Sequence, residues 1–198
     1  MFWYEEEVQR VEKEVAQLNY QPETIFYGSS SFTKWETLYS DFPEFKPVNL
    51  GFGGSTLAAC TWYFDRLVAP IQSAKSIVIY AGDNDLGDGR HPEEIYFFYL
   101  QLICQIRKKF GAIPCYFISI KPSWKRWDIN EQIKFTNYII EREIGKNDNE
   151  NYIDVYTSML DKEGFPKNQL FGEDELHLSP EGYAIWKEIL SKNILQPI

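Results

Sequence analysis

Five short apolar runs, separated by stretches of helical periodicity, leave this chain few ways to fold. The runs are TIFYG (24–28), PVNLG (47–51), SIVIYAG (76–82), IPCYFISI (113–120) and YIDV (152–155). Most are continuous rather than alternating, the pattern of strands covered on both faces. Between them, segments 56–67, 92–110, 129–146 and 180–194 carry apolar residues at helical spacing. Pro92 and Pro180 follow His91 and Ser179, where a first helical turn accepts proline. Val8, Val11, Val15 and Leu18 predict an amphipathic helix within the first twenty residues. Strand alternating with helix dictates parallel pairing, and hence an α/β fold: a three-layer α/β/α sandwich on a five-stranded parallel sheet. No repeat, low-complexity tract or linker interrupts it. Residues 1–198 therefore read as one domain, with the 1–20 helix packed on it.

In such a sheet, ligands gather beyond the carboxyl ends of the strands, so chemistry is expected in the loops that follow them. The first loop carries Gly28, Ser29, Ser30 and Ser31. The second is NLGFGGST (49–56), the third GDNDLGDGR (82–90), and the last strand leads to EDELHLSPEGY (173–183) with Asp174 and His177. Taken singly these are ordinary: glycines make turns, Asp-Asn-Asp solvates a loop, and an aspartate three residues before a histidine caps a helix. Taken together on one sheet edge they supply a nucleophile, a base, an acid to orient the base, and amide donors for an oxyanion. That is the inventory of acyl transfer.

Composition removes competing classes. The net charge of −9 and pI near 4.8 repel phosphate backbones, so nucleic acid is not an expected partner. The N-terminus MFWYEEEVQRVEKEV has acids where a signal peptide needs basic residues, and no apolar run reaches the length of a membrane span. Cys60, Cys104 and Cys115 form no CxxC pair and are odd in number. Unpaired thiols in a reducing cytoplasm are the expectation. Asp83, Asp85 and Asp88 lack a recognised calcium spacing, so no metal is expected. Oligomeric state is not readable from the sequence.

Known serine and nucleotide motifs fail on particular positions. G-x-S-x-G fails because Phe32 stands where the second glycine belongs. Ser31-Phe-Thr-Lys34 matches S-x-x-K, but neither S-D-N nor K-T-G occurs in the chain. GFGGST ends in Thr56 where the dinucleotide fingerprint needs glycine.

All four loops, in order, resemble the blocks of the SGNH hydrolases, the GDSL-type esterases and lipases. Gly28-Ser29-Ser30-Ser31 aligns with Gly-Asp-Ser-Leu, Gly54 with the second block, Gly82-Asp83-Asn84-Asp85 with Gly-x-Asn-Asp, and Asp174 and His177 with Asp-x-x-His. Two positions depart: Ser29 replaces the usual aspartate, a variant known among intracellular bacterial members, and Ser31 replaces leucine. The resemblance implies a flavodoxin-like sheet and a serine esterase working through an acyl-enzyme. The chain is too short for an added lid domain, which points to small acyl esters, acetyl esters among them, rather than emulsified fats. In that reading Ser30 is the nucleophile, His177 the base and Asp174 its orienter. The Ser30 and Gly54 amides and the Asn84 side chain form the oxyanion hole, with Ser29 and Ser31 as flanking turn residues. No cofactor is implied, and the partner is a small-molecule ester.

Around these loops, Trp35, Phe52, Trp124, Trp127 and Tyr183 are candidates to line a pocket, and Lys121, Lys125 and Arg126 bring positive charge to the same edge. Phe52, Trp124 and Arg126 are the substrate-binding candidates. His91 reads as a loop residue before a helix. Two other classes fit parts of the pattern. One is a flavodoxin-like binding module cradling a phosphate in GSSSFT; the other is a fold relative binding carbohydrate or a partner without turnover. A peptidase or thioesterase would use the same residues as an esterase.

Overall fold

The computed structural model describes residues 2–194; the expected domain's residues 1 and 195–198 lie outside the described part. Strands β1 (Thr24–Gly28), β2 (Pro47–Gly51), β3 (Ser76–Tyr80), β4 (Cys115–Ile118) and β5 (Glu150–Ile153) form one parallel sheet in the order β2-β1-β3-β4-β5. The helices are α1 (Glu5–Ala16), α2 (Ser30–Thr33), α3 (Leu38–Asp41), α4 (Leu57–Leu67), α5 (Asp83–Gly87), α6 (Pro92–Phe110), α7 (Asn130–Ile144) and α8 (Pro180–Asn193).

Continuous apolar runs are explained by two cores, one on each face of the sheet. Along β1, Ile25 and Tyr27 face one core and Phe26 the other; along β3, Ile77 and Ile79 oppose Val78 and Tyr80. The first core is closed by α1, α4, α6 and α7, through residues such as Val8, Leu57, Ile95 and Ile133. The second is closed by α2, α3 and α8, through Phe32, Leu38 and Trp186. Burial on both sides is what selects the β-branched and aromatic residues at the centres of β1 and β3.

The path of the chain places a crevice. After β1 it passes through α2 and α3 on the second face; after β2 and β3 it passes through α4, α5 and α6 on the first. Since β1 and β3 are neighbours, their following loops diverge and leave a gap at the strand ends, the topological switch point. Gly28 is required there. A β-carbon at that position would stand 1.9 Å from the Tyr80 carbonyl oxygen, so only glycine lets β1 and β3 stay paired to their ends.

The helices expected over 56–67, 92–110, 129–146 and 180–194 fall within two residues of those bounds at each end, whereas the N-terminal helix expected within 1–20 spans only Glu5–Ala16 and leaves Leu18 beyond its end. The strand over 152–155 instead begins at Glu150. β5 pairs only with β4 and is half-exposed, so its first residues are polar and carry no apolar signal. Helices α2, α3 and α5, of four or five residues, are too short to establish a period.

Candidate active site

Ser30 opens α2 immediately beyond β1, with Ser29 in extended conformation before it. Backbone bonds fix this corner: Ser29 N–H donates to the Tyr80 carbonyl (2.8 Å), and Phe52 N–H to the Gly28 carbonyl (3.0 Å). His177, 147 residues further on, places Nε2 3.0 Å from Ser30 Oγ. Its Nδ1 lies 2.5 Å from Asp174 Oδ2. The carboxylate fixes the tautomer: Nδ1–H donates to Asp174, which leaves the Nε2 lone pair facing the serine hydroxyl.

The loop holding this pair is built to bend. Glu175 has φ +57, the left-handed turn that brings an aspartate and a histidine three residues apart into contact. Asp174 Oδ1 also accepts the Leu176 and His177 amides at 3.1 and 2.9 Å. The base of the loop is closed by Gly172 N–H to the His177 carbonyl and Ser179 N–H to the Leu170 carbonyl. Partial burial raises the Asp174 carboxyl, but the imidazole and the two amides outweigh it and hold the group well below the usual carboxylate range. Ser179 then caps α8, accepting the Gly182 amide at 3.2 Å, with Pro180 at its first position.

Donors for a developing oxyanion come from three elements. Neither the Ser30 nor the Gly54 amide finds a protein acceptor among the described residues. Gly54, with φ +70 and open space where a β-carbon would stand, turns the loop after β2. Asn84 reaches the same corner from α5, but its Nδ2 donates to Ser29 Oγ (2.8 Å) and to the Ser55 carbonyl (3.1 Å). Both amide hydrogens are engaged, so service as a third donor requires exchange of one of them. Ser29 is thus the residue that orients Asn84, not simply a turn former.

The remaining acids of the third loop face separate partners. Asp83 lies 3.3 Å from the buried Lys121 ammonium. Asp85 accepts the Leu57 amide at 2.7 Å and lies 3.6 Å from Arg90. Burial pushes the Asp85 carboxyl up to about 6 despite those partners. Asp88 is exposed, at the edge of contact with Arg90. Among the described residues no group of three or more His, Cys, Asp or Glu side chains is placed to hold a metal ion.

Of the pocket candidates, Phe52 does not reach the site. It is fully buried in the first core, packed edge-on against Tyr4 and Tyr63. The apolar run before Gly53 continues the strand's buried face, which the sequence alone does not reveal. Trp35 is also core, against Phe42 and Trp186. Trp124 and Trp127 cluster with Phe165, and Lys125 N–H donates to the Glu175 carbonyl, tying this segment to the Asp174–His177 loop. A cavity of about 1040 Å³ opens beside that loop, lined by Lys34, Thr37, Asp174, His177, Tyr183 and Lys187 among others. Tyr183 O–H donates to the Ser31 carbonyl, so it braces α2 as well as lining the cavity.

Two contributions carry no motif in the sequence. Lys34, four residues after Ser30, brings its ammonium 3.3 Å from His177 Nδ1. Helix α1 and the short turn before it reach the second loop through three side chains. Tyr4 O–H donates to the Gly54 carbonyl (3.2 Å), Glu7 accepts the Gly53 amide (2.6 Å), and Arg10 donates to the Gly51 carbonyl (2.8 Å).

The family model described as the GDSL-like Lipase/Acylhydrolase family matches residues 17–185. No curated protein matches the sequence at a significant level. Among solved structures, one from Streptococcus pneumonia described as a platelet activating factor superposes with TM-score 0.84 at 20% identity, over 96% of this chain and 94% of that one. A GDSL-like lipase from Bacteroides thetaiotaomicron gives 0.80 at 20% identity, over 93% and 95%. An acetyl esterase mutant with an acetate ion gives 0.69 at 14% identity, over 86% and 95%. At these identities the structures share the fold of this chain.

Proposed function

The chain belongs to the GDSL-like lipase/acylhydrolase family, a family of carboxylic-ester hydrolases, and on that footing we propose that it is a serine esterase acting on small acyl esters, acetyl esters first among them. The carrying observation is the continuous chain Ser30 Oγ–His177 Nε2 at 3.0 Å and His177 Nδ1–Asp174 Oδ2 at 2.5 Å. His177 takes the Ser30 proton as Oγ attacks the ester carbonyl. The new Oγ–C bond sends the carbonyl electron pair to oxygen, where the Ser30 and Gly54 amides receive it. Asn84 joins them by releasing the longer of its two bonds, that to Ser55. The intermediate collapses, His177 passes its proton to the departing alcohol, and an acyl-Ser30 ester remains. Water, deprotonated by His177, then attacks that ester; collapse releases the acid and returns the proton to Ser30. Asp174 stays ionised throughout and stabilises the imidazolium.

A small acyl group is favoured because no element among the described residues forms a separate lid over the corner, and a similar fold is that of an acetyl esterase with acetate. The described residues act as a single catalytic domain with α1 included, since α1 side chains bond the loop that carries Gly54. Cys60, Cys104 and Cys115 are free, which supports a reducing compartment and hence the cytoplasm. No described helix is long and apolar enough to cross a membrane. The test is fluorophosphonate labelling followed by mass mapping of the modified peptide. Label on Ser30 that disappears on denaturation is expected. Folded protein that takes no label there would refute the esterase reading and favour a binding role.

A further inference from the structure

Arg126 is the one arginine whose side chain has no polar partner among the described residues. The other five, Arg10, Arg66, Arg90, Arg107 and Arg142, each reach a carboxylate, a carbonyl or a hydroxyl. Arg126 Nε is buried and bonded to nothing, and two residues earlier Trp124 Nε1 is in the same state. Two buried N–H donors lacking acceptors in one short segment are rare in folded proteins and call for an acceptor from outside the fold.

The guanidinium has a definite address. Its Cζ and terminal nitrogens lie 2.2–2.4 Å from where a β-carbon on Gly87 would stand, so it rests on the bare backbone of α5. Gly87 and Asn84 are three residues apart on that helix, hence on one face and roughly 5–6 Å from each other. Asn84 in turn bonds Ser29, the neighbour of Ser30. On the opposite side, the Lys125 amide ties the segment to the Asp174–His177 loop. The nearby acids leave the cation uncompensated: Asp83 is held by Lys121, and Asp85 by the Leu57 amide and Arg90.

Resting on the esterase reading above, we propose that Arg126 selects esters that carry a compact anion, a carboxylate or a phosphate, about one helical turn from the scissile carbonyl. The guanidinium fork donates charge-assisted hydrogen bonds to such a group, a geometry that a lysine replaces poorly. In a chain of net charge −9, an uncompensated arginine at the site offsets the repulsion that an anionic ester would otherwise meet.

The test compares kcat/KM for two matched ester pairs at low salt and neutral pH. In the acyl-side pair, para-nitrophenyl hemisuccinate is set against its methyl ester. In the alcohol-side pair, para-carboxyphenyl acetate is set against its methyl ester. The expected result is a preference for the anionic member of at least one pair of roughly 10- to 100-fold, the range of hydrogen bonds to charged groups. The preference should collapse toward one in Arg126→Gln and recover only partly in Arg126→Lys. Because each ratio is taken within one protein, partial loss of folded enzyme cancels. Gly87→Ala, which would displace the guanidinium while keeping its charge, provides a second variant and should lower the same ratio. Turnover with no preference in the wild type, or a preference that survives Arg126→Gln, overturns the assignment and leaves the esterase intact. No turnover of any ester, with Ser30 unlabelled, overturns both.

Discussion

Ser29 and Ser30 are adjacent and have different tasks. Ser30→Ala removes the nucleophile, and turnover is expected to fall by about 10⁶ with the thermal transition unchanged. Ser29→Ala removes the acceptor that orients Asn84, so kcat should drop by roughly 3- to 10-fold, the range of one neutral hydrogen bond, with KM little changed. Steady-state kinetics on para-nitrophenyl acetate separates the two. Read from the sequence, Ser29 and Ser31 are interchangeable turn residues, because side-chain partners 55 residues away leave no local trace. Ser30, Asp174 and His177 are legible because block order and strand context locate them without any contact being known. Asp85 supplies a pH test. Its folded carboxyl titrates near 6 against an ordinary value of 3.8, so the protonated form is favoured in the folded state. Its contribution is therefore neutral below pH 4 and becomes unfavourable as pH rises through 6, by about 3 kcal/mol at most. Denaturant unfolding at pH 4 and pH 7 should show wild type losing that much relative to Asp85→Asn.

At the scale of elements, α1 is the least expected participant. Its apolar positions Val8 and Val11 pack on the sheet, as the periodicity predicts. Its polar face is not idle surface, since Glu7 and Arg10, with Tyr4 just before the helix, each hold one backbone group between Gly51 and Gly54. Arg10 also pairs with Glu7, and that bond first among others keeps the Glu7 carboxyl below its usual range. Glu7→Ala leaves the Gly53 amide without its charged acceptor and should cost about 1–3 kcal/mol in unfolding free energy. Glu6→Ala, on the exposed side of the same turn, should cost almost nothing by the same denaturation assay. The four long helices and strands β1 to β4 are legible because each presents several turns or a largely buried run, whereas half-exposed β5 is legible only in part. Helix α5, which carries Asn84 and seats Arg126, spans five residues and is legible only as a motif.

For the whole molecule, strand order dictates a hierarchy of protection. β1, β3 and β4 are paired on both sides, whereas β2 and β5 are edges. Backbone amides of β1 and β3, with every residue buried, should exchange slowest, and those of half-exposed β5 fastest among the strands. Hydrogen exchange read by mass spectrometry checks this; a β5 peptide protected as long as β1 would contradict it. The same architecture explains what the sequence conveys at this scale. Parallel pairing and three layers follow from element alternation, while the crevice follows from strand order, which apolar runs alone do not encode. Asp174 and His177 are joined by a turn of two residues and tied by three bonds to the Asp174 carboxylate, so they move as a single part. Assembly of the site then has one adjustable coordinate, the gap between that part and Ser30. Mild perturbation should switch the protein off by mis-spacing rather than by disarming it: an oriented imidazole, visible by its ring-proton resonance, that outlives turnover.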